Sequence, residues 1–216
     1  MLENYFNQIS QIKHDLKYDL RDFMNIEYMI SNFHDKNYKL TKKKVLDLGC
    51  GNKRLENIFI KYNNNYTGYD YSDYDFESDL INIPSEKYDL ILSIAVIEHL
   101  SNPDKYIKNI FNLLKNNGYL YLITPNINLT KHSFYDDYTH KKPYTPLTLK
   151  RIFNDYGFNS IKLYPGLRLK PKWFYKGKFC FYKANYLIPF DNLNKSKLIP
   201  SFLKGKSKSI ILICQK

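Results

Sequence analysis

The sequence predicts an α/β protein built on a doubly wound parallel sheet, and two observations carry that reading. Strand-like apolar runs at 44–48, 66–70, 88–94, 119–124, 160–164 and 209–215 alternate with helical patterns at 53–62, 103–115 and 146–156. That alternation packs helices onto both faces of a parallel sheet. The second observation is Val45 to Glu56, a short apolar run that ends in Asp47, turns through Gly49 and Gly51 and enters a helical pattern. Sheets of this class bind ligands at the carboxyl ends of their strands, near the switch in strand order, where Asp47, Asp70 and Ser93 fall.

The chain begins with a helical pattern. Tyr5, Phe6, Ile9, Ile12, Leu16 and Leu20 recur at helical spacing, and Phe23, Ile26, Met29 and Ile30 continue it in a second helix. Residues 1–40 thus form an N-terminal helical piece ahead of a domain at 41–216. It either caps a pocket or packs plainly on the sheet.

At the first strand, glycine lets bare backbone approach a ligand, because it tolerates positive φ and carries no side chain. A dinucleotide loop wants a third glycine three residues after Gly51, and this chain has Arg54 there. Asp47 at the strand end suits a cation better than a pyrophosphate. Asn65 to Asp70 reads as a second strand ending in an acid, 19 residues past Gly51. A carboxylate there can accept both hydroxyls of a ribose. Together the two acids suit an adenosine that carries a sulfonium amino acid.

These residues resemble the class I S-adenosylmethionine-dependent methyltransferases, over about residues 40–165 and the last strand near Ser209 to Gln215. Four stretches carry the likeness: the Asp47–Gly51 turn, Asp70, Tyr88 to Ser93 running into Ile97-Glu98-His99-Leu100, and Leu113 to Gly118 leading to Leu122-Ile123-Thr124-Pro125-Asn126. Each is weak singly; their order makes them specific. The resemblance implies a Rossmann-like, mostly parallel seven-stranded sheet with an antiparallel last strand, S-adenosylmethionine as donor and S-adenosylhomocysteine as product. It assigns Asp47, Gly49, Cys50, Gly51, Asp70 and Tyr71 to the donor pocket. It adds Asp79 and Leu80 near the adenine, and Ser93, Ile94, Ala95 and Glu98 toward the methionine end. Asp79 also reads as a solvated loop acid.

Ile97-Glu98-His99-Leu100 is similar to the ubiquinone-type O-methyltransferases, where an acid and a histidine here are joined by another acid around a divalent metal. The matching position for that acid is Ala95. Two ligands are too few for a good Mg²⁺ site, so no metal is expected.

Methyl transfer is an in-line displacement at a carbon already activated by the sulfonium, so the protein supplies alignment. An oxygen nucleophile also needs a proton acceptor, and histidine titrates in the right range. His99 follows the fourth strand of the family pattern. It is a catalytic candidate or a loop-orienting group. His140 lies in Phe134 to Thr145, a long loop before a helix opened by Thr145-Pro146. A similar order of Asp, Thr-His, a basic residue and Tyr-Thr occurs in bacterial methyltransferases of surface glycans and secondary metabolites. Asp136 and His140 are therefore expected to face the acceptor, with His140 as base or orienting group. The plainer alternative is a loop histidine bonded to backbone.

Charge is unevenly spread. Residues 1–140 hold 16 Lys or Arg and 19 Asp or Glu, whereas residues 141–216 hold 17 and 2. A basic, aromatic insertion at about 165–205 interleaves lysines with Trp173, Phe174, Tyr175, Phe179, Phe181, Tyr182, Tyr186 and Phe190. Such a surface suits an anionic membrane or lipid-linked acceptor, a nucleic acid, or simply a solvated face over a core. Only Arg151 and Arg168 supply arginine in this half, which disfavours nucleic acid.

The remaining composition is that of one ordinary domain, with 216 residues, 44% hydrophobic and 25% charged. No run of about 18 apolar residues occurs, and the first residues lack the basic start and apolar core of a secretion signal. Three separated cysteines fit a reducing compartment. The expected location is cytoplasmic, with peripheral contact at the inner face of a membrane as an option. The expected function is O-methylation of a sugar or glycan intermediate. A small-molecule acceptor of the quinone or secondary-metabolite kind is the alternative, and a non-catalytic RNA-binding module of the same fold is a third.

Overall fold

The protein is described by a computed structural model, covering residues 16–78, 83, 87–166 and 208–216. Helix α1 (Leu16–Phe33) comes first, followed by strand β1 (Lys44–Leu48), α2 (Glu56–Lys61), β2 (Asn65–Tyr69) and β3 (Tyr88–Ile94). A 3-10 turn (Ile97–His99), α3 (Asp104–Leu113), β4 (Leu114–Pro125), α4 (Ile127–Thr130) and a second 3-10 turn (Lys131–Asp136) lead to α5 (Pro146–Asp155). Strands β5 (Asn159–Pro165) and β6 (Ser209–Gln215) complete the sheet, in the order β2-β1-β3-β4-β6-β5.

Strands β2, β1, β3 and β4 pair in parallel, and β6 runs antiparallel to both β4 and β5. The antiparallel last strand is as expected, but the described residues form six strands rather than seven. Between β2 and β3, residues 79–82 and 84–86 lie outside the described residues. Just before them the chain turns: the Ser78 amide and hydroxyl both bond the Asp75 carbonyl, and the Glu77 amide bonds the Asp75 carboxylate.

The period of two along each strand sorts side chains to the two faces. Leu46, Leu48, Ile91, Leu120, Leu122 and Leu212 meet Tyr106, Ile107 and Ile110 of α3 and Leu149 and Phe153 of α5. Val45, Leu90, Leu92, Tyr121, Ile211 and Ile213 point the other way, against Phe23, Ile26, Met29 and Ile30 of α1 and Ile58 and Phe59 of α2. Helices therefore cover both faces. The N-terminal pattern corrects in one respect, because Leu20 and Phe23 lie on one continuous helix rather than two. Nothing in that stretch stops a helix, which ends only where the chain turns at Asp35. Its described part packs flat on the sheet.

Helix α5 starts as the Thr145-Pro146 pair requires. The Thr145 hydroxyl accepts the Thr148 amide at 3.1 Å, and Pro146 occupies the first turn, where an amide would lack a partner anyway. Among the described residues no helix is long and apolar enough to cross a membrane. The basic aromatic stretch at 167–205 lies outside the described residues, as do residues 1–15 and the positions Asp79 and Leu80.

Candidate active site

The site forms where β1 and β3 diverge, at the switch in strand order. Leaving β1, the chain turns with φ of 78° at Gly49 and 56° at Gly51, values that non-glycine residues adopt only with strain. The turn is tied to the end of β2, since the amides of Gly49 and Cys50 both donate to the Tyr69 carbonyl. Space separates the two glycines. A Cβ on Gly49 would collide with Val96 Cγ2, whereas one on Gly51 would meet nothing within 4 Å. Gly49 thus lets the segment after β3 close over the turn, and Gly51 faces open space.

Two carboxylates flank this turn. Asp47 is 4% exposed and accepts a 2.6 Å hydrogen bond from the Tyr66 hydroxyl. Burial pushes its carboxyl up to about 6, against the pull of the Tyr66 bond and the Arg54 charge. Asp70 accepts the Gly51 amide at 2.5 Å and the Tyr71 amide at 2.7 Å, one on each oxygen. A carboxylate has about four acceptor positions, so capacity for ligand hydroxyls remains. Tyr71 is exposed beside it. Cys50 is buried, and burial next to Asp47 and Asp70 pushes its thiol up to about 12, so it packs rather than reacts.

Arg54, standing where a dinucleotide loop has glycine, reaches back to α1. Its guanidinium bonds Asp19 at 2.8 Å and pairs with Asp22 through its other terminal nitrogen. The two acids are one helical turn apart, so a planar fork can engage both.

Beyond β3 the site residues separate in role. Ser93 is fully buried and its hydroxyl accepts from Tyr106 of α3 at 2.8 Å. Ile94 is half-buried and Ala95 exposed, with φ of 57° at Ala95. Glu98 is 1% exposed and accepts the Thr124 hydroxyl at 2.9 Å.

His99 and His140 come together although 41 positions separate them. The amides of Lys141 and Lys142 both donate to the Glu98 carbonyl, stapling the long loop to the 3-10 turn. The imidazole centroids then lie 4.9 Å apart. The Thr139 hydroxyl donates to Asp137 at 2.6 Å, so it must accept from His99 Nδ1 at 2.8 Å. The Thr139 carbonyl, 3.2 Å from the same nitrogen, demands the same tautomer. His140 Nδ1 donates to the Phe134 carbonyl at 2.6 Å, and the ring stacks on Phe134. Burial and the His140 neighbour hold His99 below the ordinary histidine range. Both rings therefore carry a lone pair on Nε2 when neutral.

Asp136, expected to face the acceptor with His140, is exposed at the end of its 3-10 turn. The adjacent Asp137 takes the inner position, 3.8 Å from His140 Nε2. Neighbouring acids cannot be told apart without the turn that orients them. The expectation of no metal rested on two donors, Glu98 and His99. The fold brings a third, with one ligand atom from each of Glu98, His99 and His140 lying within 4.8 Å of the others. Sequence reasoning also missed the roles of Tyr66, Thr124 and Thr139, although Thr124 and Thr139 stand inside quoted stretches. The strand period, which puts Tyr66 on the same face as Asp47, is the signal that could have found it.

Comparison with known proteins places the chain in a family. The chain is 28% identical over 109 residues to a ubiquinone biosynthesis O-methyltransferase of Pelagibacter ubique, covering 42% of this chain and 45% of that protein. It is 31% identical over 121 residues to a protein of the same name from Glaesserella parasuis, covering 45% and 51%. The chain thus spans about half the length of these curated relatives. A SAM-dependent methyltransferase from Archaeoglobus fulgidus shares the fold, with a TM-score of 0.57 at 19% identity, over 93% of this chain and 98% of that one. The family model described as a methyltransferase domain matches residues 14–163, more than half of the sequence, and the chain belongs to that family.

Proposed function

We propose that the protein transfers a methyl group from S-adenosylmethionine to a hydroxyl oxygen of a sugar or glycan intermediate. The donor pocket supports the first half of this reading. Gly51 opens onto free space beside Asp70, whose carboxylate suits ribose hydroxyls, and Asp47 supplies negative charge for a cationic donor. The donor brings a methyl carbon already activated by positive sulfur. The chain's residues hold it, exclude water and receive the acceptor.

The observation that carries the second half is the His99–His140 pair, one 3-10 turn from Val96, which itself packs on Gly49. An imidazole whose Nδ1 carries the proton, so that Nε2 is the basic nitrogen, suits an acceptor that must lose a proton. As the acceptor oxygen bonds the methyl carbon, the carbon–sulfur bond breaks and its electron pair stays on sulfur. The oxygen's proton passes to an imidazole and then to solvent. An orientation effect and a proton acceptor are what such a reaction asks of the protein.

The runner-up acceptor is a small phenol or quinol. The names of the two curated relatives favour it, and the exposed rings of Tyr71, Tyr135 and Tyr138 offer flat apolar surface. Contact with an anionic membrane or lipid-linked acceptor rests on the basic composition after residue 141.

Calorimetry with S-adenosylmethionine and S-adenosylhomocysteine tests the donor. Methyl-labelled donor offered to nucleotide sugars, lipid-linked oligosaccharide and a polyprenyl catechol tests the acceptor. Label on a saccharide is expected; label on the catechol alone replaces the first reading with the second. A His140→Ala protein is expected to keep homocysteine-product binding and lose transfer by about 100-fold. Parental turnover in that variant removes His140 from the mechanism.

A further inference from the structure

The three donors at the histidine pair have the arrangement of a metal site. Each imidazole is anchored through Nδ1 to an oxygen that can only accept from it, the Phe134 carbonyl for His140 and the Thr139 carbonyl for His99. Metal-binding histidines are fixed in this way, with the other nitrogen presented to the ion. Glu98 is oriented by Thr124 through one oxygen. Metal–nitrogen bonds of about 2.1 Å place ligand atoms roughly 3–4 Å apart, so donors within 4.8 Å of one another close on an ion by small side-chain rotations. Asp137, 3.8 Å from His140 Nε2, adds negative charge beside them.

We propose that Glu98, His99 and His140 bind one divalent transition-metal ion, with His140 supplying the ligand that no acid at position 95 provides. Two imidazoles and one carboxylate select an ion of the zinc, cobalt or iron(II) kind over Mg²⁺, which prefers an oxygen shell. Three protein ligands leave positions open. On the donor reading, on which the role of the ion in transfer rests, an open position takes the acceptor hydroxyl, whose proton, made more acidic by the ion, leaves to solvent. With the ion bound the imidazoles are ligands, and they act as proton acceptors only in its absence. No change of oxidation state is involved.

Chelator-dialysed protein titrated with Co²⁺ tests the site without any acceptor. One equivalent is expected to bind and give a visible d–d absorption band, displaced by Zn²⁺ and left in place by millimolar Mg²⁺. His140→Ala and Glu98→Gln are each expected to weaken Co²⁺ binding by more than about 100-fold, beyond the loss of an outer partner alone. His140→Glu, which keeps a ligand but changes nitrogen to oxygen, is expected to move the band. His132→Ala, on the exposed surface, is expected to leave it unchanged. S-adenosylhomocysteine calorimetry on each variant reports whether the pocket remains folded. No Co²⁺ band in the parent, or a band that survives both His140→Ala and Glu98→Gln, overturns the proposal. A normal band in a parent that binds no S-adenosylhomocysteine overturns the donor reading and leaves the metal site standing.

Discussion

The Tyr66 hydroxyl donates to Asp47 across the β1–β2 pair at 2.6 Å, in a place where both groups are buried. Against the burial that raises its carboxyl, this bond and the Arg54 charge favour the ionised form. With its carboxyl raised to about 6, Asp47 is ionised at neutral pH and takes up a proton as the pH falls toward 5. Donor affinity measured by calorimetry is therefore expected to be flat above about pH 7 and to fall below about pH 6. Tyr66→Phe removes the hydrogen bond to the charged form, raises the carboxyl further, and moves that fall to higher pH.

The same burial makes Asp47 a cost to stability. A carboxyl raised from 3.8 to about 6 on folding binds its proton more tightly in the native state. Stability then declines as pH rises through that window and stays lower above it, by about 3 kcal/mol at neutral pH. Asp47→Asn, which still accepts from Tyr66, is expected to raise the denaturation midpoint at pH 7.5 and to abolish donor binding. A midpoint that falls instead contradicts the assignment.

Gly49 and Gly51 make a matched test of the turn. Both have positive φ, but only at Gly49 does a side chain, that of Val96, stand where a Cβ would go. Gly51→Ala is expected to cost about 1–2 kcal/mol from backbone strain alone. Gly49→Ala adds a collision that pushes the segment after β3 off the turn, and is expected to lose both more stability and most donor affinity. Chemical denaturation and calorimetry on the pair read the difference.

Arg54 ties the turn to α1 through Asp19 and Asp22, and Asp19 is buried. Arg54→Leu strands that acid and is expected to destabilise the protein by about 2–4 kcal/mol. Arg54→Lys recovers only part of this, because a single ammonium cannot engage two carboxylates as a planar fork does. Full recovery by lysine, seen in thermal unfolding, removes the geometric argument.

What the sequence makes legible follows from the range of the forces involved. The strands, the turn and the start of α5 are local or periodic patterns, and they stand where alternation, Gly49-x-Gly51 and Thr145-Pro146 put them. Asp47 and Asp70 stand at the carboxyl ends of β1 and β2, where the apolar runs put them. The pairing of His99 with His140 was not, because it depends on two backbone amides that fold the loop back onto Glu98. Any loop residue could have supplied those amides. The same reason hides Asp137 behind Asp136: only the turn between them decides which faces inward. The Tyr106 partner of Ser93 was hidden too, since a serine at the end of β3 suits a ligand and a buried tyrosine equally, and only the packing of α3 brings Tyr106 to it.

Thr139 tests whether the loop's hydrogen bonds do more than hold the loop. Its hydroxyl has one proton, which goes to Asp137, so toward His99 it can only accept, and Nδ1 donates to it at 2.8 Å. Thr139→Val keeps the size of the side chain and the carbonyl contact but removes both hydroxyl bonds, so His99 loses its shorter tether and Asp137 an N–H-independent partner. Loss of such an outer partner typically costs 10–100-fold in metal affinity, and about tenfold in Co²⁺ affinity is expected here, because the carbonyl at 3.2 Å still guides the ring. Thr139→Ser restores the hydroxyl and is expected to restore the affinity, with S-adenosylhomocysteine binding unchanged in both proteins. If serine and valine behave alike, the hydroxyl has no part in orienting His99, and the carbonyl alone sets the ring.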